Sequence, residues 1–228
     1  MTIKVGFLIF ENMQLLDFAA PYDTFKAVPE MSVTLIGQTL ERVTTSSGLG
    51  FVPTAAINTI GRLDVLCVPG GNGVNRLLDD EPVLDFLRQQ AKSVRYLTSI
   101  CTGVLVLGAS GLLHGRKATT HWTAMDYLTV FGAIPVQRRV VVDGNIVTAG
   151  GVTAGMDFGL VMIAELLGKK AAQKVQLQMQ YAPEPPFDCG TPQKAPHDLV
   201  QQVLKQDKYE ERRKIISNFE MMHKNNES

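Results

Sequence analysis

The sequence predicts an α/β fold built on an open, mostly parallel sheet. Three observations point there. Short, mainly apolar runs such as Ile3–Phe10 and Asp64–Val68 alternate with stretches whose apolar residues fall at helical spacing. Strands of that kind, apolar on both faces, belong in a sheet covered by helices on each side. A hairpin signal, Asp143-Gly144, sits between Arg139–Val142 and Ile146–Ala149, so a small antiparallel addition to the sheet is expected.

Ile3–Phe10 reads as the first strand. Phe18–Val28 has helical spacing through Phe18, Tyr22, Phe25 and Ala27, with Asp17 as a favoured N-cap before it. Ser32–Ile36 is the second strand, and Val43 to Ile60 forms short strands and turns around Gly48 and Gly50. Asp64–Val68 is a strand stopped by Pro69-Gly70-Gly71. Pro82–Lys92 is an amphipathic helix, Val94–Ile100 a strand and Thr102–Ala109 a helix. Lys117–Thr120 is short and extended, and Thr123–Phe131 is helical. Met156–Leu167 and Ala171–Gln180 read as two further helices. These elements make one domain over residues 1–181. Five prolines between Pro183 and Pro196 make a loop, and Asp198–Lys224 is polar and helical, so residues 182–228 are expected as a surface tail on the same domain.

The chain has 228 residues, 45% of them hydrophobic, with 22 Lys+Arg against 22 Asp+Glu. That is enough apolar material for a full core and too little net charge for disorder. The balance also argues against a nucleic-acid partner, which usually demands a basic surplus. The three cysteines, Cys67, Cys101 and Cys189, are far apart and suggest no disulfide framework. The apolar part of the first residues is too short for a secretion signal. Tyr96–Gly115 holds no Asp, Glu, Lys or Arg, but Thr98, Ser99, Thr102, Ser110 and His114 interrupt it, so it reads as two buried elements and not as a membrane span. A cytoplasmic protein without a membrane partner is therefore expected.

Ligands of open α/β sheets bind beyond the carboxyl ends of the strands. The segments there are Glu11–Asp17, Pro69–Gly73, Cys101–Gly103 and Gly150–Gly155. Cys101 stands out, because Leu97–Leu105 reads as strand, sharp turn and helix, the arrangement that lifts an apical side chain out of a sheet. A thiol at a helix N-terminus feels the helix dipole, which favours thiolate; the competing reading is a buried structural cysteine. Gly70 and Gly71, with the Thr102 amide, are candidates for an anion hole beside it. Asp17 is either a helix cap or a general acid/base whose pKa burial raises, and the two roles do not exclude each other. His121 is a candidate base or a capped residue, and Trp122 core or pocket wall. Cys67 reads as core, Cys189 as an exposed bystander, and His114, His197 and His223 as surface. No His/Cys/Asp spacing suggests a metal site. Gly70-Gly71-Asn72-Gly73 lacks the Lys-Ser/Thr of a phosphate loop.

Taken together, Pro69-Gly70-Gly71, Ser99-Ile100-Cys101-Thr102-Gly103, Gly115–Trp122 and Thr148–Gly155 resemble the DJ-1/PfpI superfamily, in the same order and over roughly residues 3–181. The resemblance implies a flavodoxin-like three-layer sandwich of the class I glutamine amidotransferase type, with the cysteine at a nucleophile elbow, and a homodimer. Within the superfamily the chain resembles the branch that hydrates isocyanides to N-substituted formamides without a cofactor. That resemblance assigns Cys101 as nucleophile, Asp17 as its acid/base partner and Thr102 as an active-site neighbour. Many relatives carry glutamate where Asp17 stands, and the protease-like branch has histidine where Thr102 stands. The substrate has few hydrogen-bonding groups, so a mainly apolar pocket is expected, with Gly150 and Val152 as lining candidates. Three other readings stay open: another thiol-dependent enzyme of the superfamily such as a glyoxalase, a ligand sensor like the sensing domain of AraC-type regulators, and a redox sensor.

Overall fold

The computed structural model describes residues 2–224, without the side chains of residues 207, 208 and 222–224. In chain order its elements are β1 (Ile3–Leu8), α1 (Leu15–Lys26), β2 (Met31–Gly37), β3 (Val43–Thr44), β4 (Gly50–Phe51), β5 (Ala55–Ala56), β6 (Val65–Val68), α2 (Val74–Leu77), α3 (Glu81–Ala91) and β7 (Tyr96–Ile100). A 3₁₀ turn (Cys101–Gly103) leads into α4 (Val104–Ala109), followed by β8 (Lys117–Ala118), a 3₁₀ helix (Trp122–Phe131), β9 (Ile134–Pro135), β10 (Val140–Asp143) and β11 (Ile146–Ala149). The chain ends in α5 (Ala154–Leu167), α6 (Lys169–Gln178), α7 (His197–Leu204) and α8 (Asp207–Lys224).

Seven strands form the central sheet in the order β10-β11-β7-β6-β1-β2-β5. All pairs are parallel except β10 with β11, the hairpin turned by Asp143-Gly144. From β1 the chain moves outward through β2 and β5, then returns to the other side of β1 for β6, β7 and β11. The crevice between the β1 and β6 loops is thus the point where ligands of such sheets bind.

The inner strands are apolar on both faces because both are covered. Val65, Leu66, Cys67 and Val68 of β6 are all fully buried. On one side α1 and α5 pack together over β1: Phe7 meets Phe18 edge-on with ring centres 5.5 Å apart, and Phe25 meets Phe158 at 6.1 Å. On the other side lie α3 and α4, with the apolar face of α3 (Val83, Leu84, Phe86, Leu87) turned inward. Asp80 caps α3, its side chain accepting from the Val83 amide at 3.2 Å.

Two local expectations need correction. Asp17 is not the cap of the first helix: α1 starts three residues earlier than its apolar spacing indicates, Gln14 is the cap position, and Asp17 lies in the first turn. That first turn is less buried than the Phe18–Tyr22–Phe25 face: Leu15 is half-buried and Leu16 is exposed. The segment Lys117–Thr120 is short and extended as expected, and its β8 pairs in parallel with β9. The polar tail is not one helix on the surface. It breaks between α7 and α8, and α8 places Arg212 and Ile216 in the interior, 3% and 2% exposed. His114 and His197 are exposed as expected, whereas the side chain of His223 lies outside the described residues.

Candidate active site

The loops after β1 and β6 are stitched together at the backbone. The Gln14 amide donates to the Gly70 carbonyl at 2.8 Å, and Met13 forms an isolated β-bridge with Gly71. This contact carries the start of α1, and Asp17 with it, against the end of β6. The Pro21 nitrogen has no hydrogen to give the Asp17 carbonyl four residues earlier, so the helix bond at that turn is missing.

Cys101 is the residue immediately after β7 and has φ of 55°. A side-chain-bearing residue in this left-handed region costs roughly 1–3 kcal/mol and persists only where the surroundings hold it. Two bonds do so. The Cys101 amide donates to the Gly150 carbonyl at 2.9 Å, and Thr120 Oγ1 donates to the Cys101 carbonyl at 2.8 Å. At Gly103 a Cβ would overlap the carbonyl oxygens of Val68 and Pro69, so only glycine lets the turn pass so close to β6. Cys101 is 6% exposed and Asp17 is fully buried.

Asp17 Oδ2 accepts the Gly70 amide at 3.0 Å, while Oδ1 is buried with no hydrogen-bond partner among the described residues. Burial disfavours the carboxylate and lifts its pKa to about 7, and the Gly70 amide and the neighbouring Cys101 thiol offset only part of that rise. Burial likewise pushes the Cys101 thiol well above its ordinary value, and a charged Asp17 adds to the rise; the Thr102 amide and the Arg212 guanidinium act in the opposite direction. Burial therefore opposes the helix terminus, which favours thiolate. The helix behind the 3₁₀ turn has only six residues.

The anion hole expected from Gly70 and Gly71 is not present as such. Their amides are already engaged, Gly70 to Asp17 and Gly71 to Thr102 Oγ1 at 3.1 Å. The two glycines act as a bracket that fixes Asp17 and Thr102. A Cβ on Gly70 would lie 2.6 Å from the Thr102 nitrogen and 2.8 Å from Asp17 Oδ2.

Above Cys101 lies a small cleft of about 70 Å³, walled by Thr102, His121, Val152, Tyr209 and Arg212 among others. Next to it runs an open groove of about 530 Å³ that shares His121 and Val152 and includes Trp122 and Gly150. Gly150 thus reaches the groove and not the cleft, and its carbonyl is what anchors Cys101. His121 caps the 3₁₀ helix, its Nδ1 accepting the Thr123 amide at 3.3 Å, and its ring stacks with Tyr209. Cys67 is buried within β6, its thiol pushed up to about 12 by desolvation, and Cys189 is exposed. No cluster of three His, Cys, Asp or Glu that could hold a metal occurs among the described residues.

Tyr209 and Arg212 were missed in the sequence because α8 reads as polar. The signal was there: Tyr209, Arg212, Ile216 and Phe219 recur at helical spacing along one face. Phe219 seats that face against Phe131 with ring centres 5.0 Å apart. Arg212 Nε donates to Asn75 Oδ1 at 2.9 Å and a terminal nitrogen donates to the Gly71 carbonyl at 2.8 Å.

Comparison with known proteins matches this geometry. The chain is 52% identical over 205 residues to the isonitrile hydratase of Pseudomonas putida, covering 90% of each protein. The crystal structure of a THiJ/PfpI family protein from Pseudomonas syringae superposes with a TM-score of 0.90 at 36% identity, over 95% of this chain and 91% of that one. Drosophila melanogaster DJ-1beta superposes with a TM-score of 0.73 at 25% identity, over 80% of this chain and all of that one. With the DJ-1/PfpI family profile matching residues 3–165, this chain belongs to the DJ-1/PfpI family.

Proposed function

We propose that the chain is an isonitrile hydratase: it adds water to an isocyanide and releases an N-substituted formamide. The observation that carries the reading is the pairing of a strained Cys101 with a buried Asp17 whose pKa is raised to about 7, in a chain half identical to an isonitrile hydratase over nine-tenths of its length.

The reaction needs a nucleophile for the terminal carbon and a proton for the same atom. In the proposed sequence the Cys101 thiolate bonds to that carbon, and the carbon takes the Asp17 proton, giving a thioimidate on the enzyme. A water molecule then adds to the carbon, losing a proton to the Asp17 carboxylate, which passes it to the substrate nitrogen. Finally the new hydroxyl returns its proton to Asp17, the carbon–sulfur bond breaks, and the formamide leaves with the thiolate restored. Two moderate steps replace one difficult addition. Thr102 sits beside both groups, held by Gly71. Gly70 orients Asp17 through its amide. Val152 and His121 wall the approach to Cys101, and Gly150 lines the groove into which the nitrogen substituent would extend. The scheme calls on no metal or organic cofactor.

Among the described residues no helix is long and apolar enough to cross a membrane. Residence in the cytoplasm and assembly as a homodimer belong to the same reading, and sedimentation of the purified protein checks the second. Residues 1–181 are read as the catalytic domain and 182–228 as a segment folded onto it.

The deciding measurement is steady-state hydration of an isocyanide panel by the wild type, Cys101→Ser and Asp17→Asn. Turnover by the wild type and a loss of at least about a hundredfold in each variant are expected. Full activity in Cys101→Ser would end the covalent scheme, and activity on small carbonyl compounds but not isocyanides would replace the function.

A further inference from the structure

The cleft over Cys101 holds a charge that a neutral substrate does not require. Arg212 is 3% exposed, and among the described residues its hydrogen bonds go to neutral acceptors, the Asn75 amide oxygen and the Gly71 carbonyl. No ion pair of Arg212 occurs among the described residues. A buried guanidinium without a counter-ion is costly, and a fold retains it where an anion forms nearby. The groups around it are few. Glu211 accepts from Asn75 Nδ2 at 3.3 Å and is itself exposed. Tyr127, Tyr209 and Glu211 also act on it through charge, and Asp17 acts on the Cys101 thiol. The remaining group that can become an anion in the shared cleft is the Cys101 thiol.

We propose that Arg212, delivered by the C-terminal helix α8, is the counter-charge of the Cys101 thiolate and the positioning residue that lets this buried sulfur ionise. The inference rests on the reading of Cys101 as nucleophile and deepens it. With Asp17 protonated and Cys101 ionised, the guanidinium balances the one negative charge in the cleft, so the reactive state is neutral overall. Its two anchors keep the charge in place, Asn75 from α2 and the Gly71 carbonyl from the bracket that also holds Thr102. The residue lies beyond residues 3–165, the span that matches the family profile, on the C-terminal helix α8.

The test uses the full-length protein without any isocyanide. Thiolate absorbance near 240 nm is titrated against pH for the wild type, Arg212→Gln, Arg212→Lys and Asn75→Leu, with Cys101→Ser subtracted. Iodoacetamide alkylation of Cys101, followed by mass spectrometry, gives the same quantity as a rate. Arg212→Gln is expected to raise the apparent pKa by at least about one unit, a tenfold fall in alkylation rate at fixed pH. Arg212→Lys, which keeps the charge, restores most of that rate. Asn75→Leu moves the profile in the same direction by less, and carries the test if Arg212→Gln does not fold. An unchanged titration in a folded Arg212→Gln, or in Asn75→Leu where that variant stands in, overturns the proposal. So does a Lys variant as impaired as Gln, which would make Arg212 a packing residue. A titration that shifts as described in a protein that hydrates no isocyanide would sink the function and leave the role of Arg212 standing.

Discussion

The Gly70 amide donates to Asp17 Oδ2 at 3.0 Å, across 53 positions of sequence. That bond fixes a carboxyl group from the first helix, which follows β1, beside a cysteine from the turn after β7, two strands away in the sheet. The other carboxylate oxygen is buried without a hydrogen-bond partner among the described residues, and the burial of the group is why it resists ionisation.

The two groups titrate as a pair, and the reactive state carries one proton shared between them. Below the lower step both are protonated and no thiolate exists. Activity, measured as kcat/KM for an isocyanide, is therefore expected to rise with pH through about 7, the value to which burial lifts Asp17, and to hold until Cys101 itself titrates well above its ordinary value. A profile flat from pH 5 to 9 would contradict the pairing.

Stability should carry the same signature with a defined sign. Between about pH 4 and 7 the folded protein holds the Asp17 proton while the unfolded chain has lost it, so stability falls as pH rises across that window and the loss is complete above it. The full effect is on the order of 4 kcal/mol. Asp17→Asn removes the titration, so its stability relative to the wild type should increase from pH 5 to pH 8. Urea unfolding of both proteins at those two pH values measures it, and an equal difference at both would show that Asp17 ionises normally in the fold.

Gly70→Ala tests the bracket. The added methyl would press on the Thr102 nitrogen at 2.6 Å and on Asp17 Oδ2 at 2.8 Å, so the carboxyl must move away from the sulfur. A displacement of this size at a reacting group costs about a hundredfold in rate. Overpacking adds roughly 1–3 kcal/mol of destabilisation. A fall in kcat larger than the fall in folded fraction, read from activity and circular dichroism on the same samples, is the expected outcome.

The sequence by itself determined the layered α/β architecture, the hairpin at Asp143-Gly144 and the sharp turn at Cys101. Those follow from short-range chemistry: apolar periodicity, a two-residue turn signal, and a cysteine between a strand and a helix with Gly103 behind it. The pairing of Asp17 with Cys101 was within reach only as one of two roles, because a local pattern cannot say whether a carboxyl at a helix start faces water or a thiol. Tertiary structure alone decided that the Gly70 and Gly71 amides are spent on Asp17 and Thr102, that Gly150 acts through its carbonyl, and that the sulfur is buried. It alone brought Arg212 into the cleft, since helical spacing puts Arg212 on one face with Ile216 and Phe219 but does not say which surface that face docks against. Hydrogen-bond competition and burial depend on groups far apart in the chain, and only the folded arrangement assigns them.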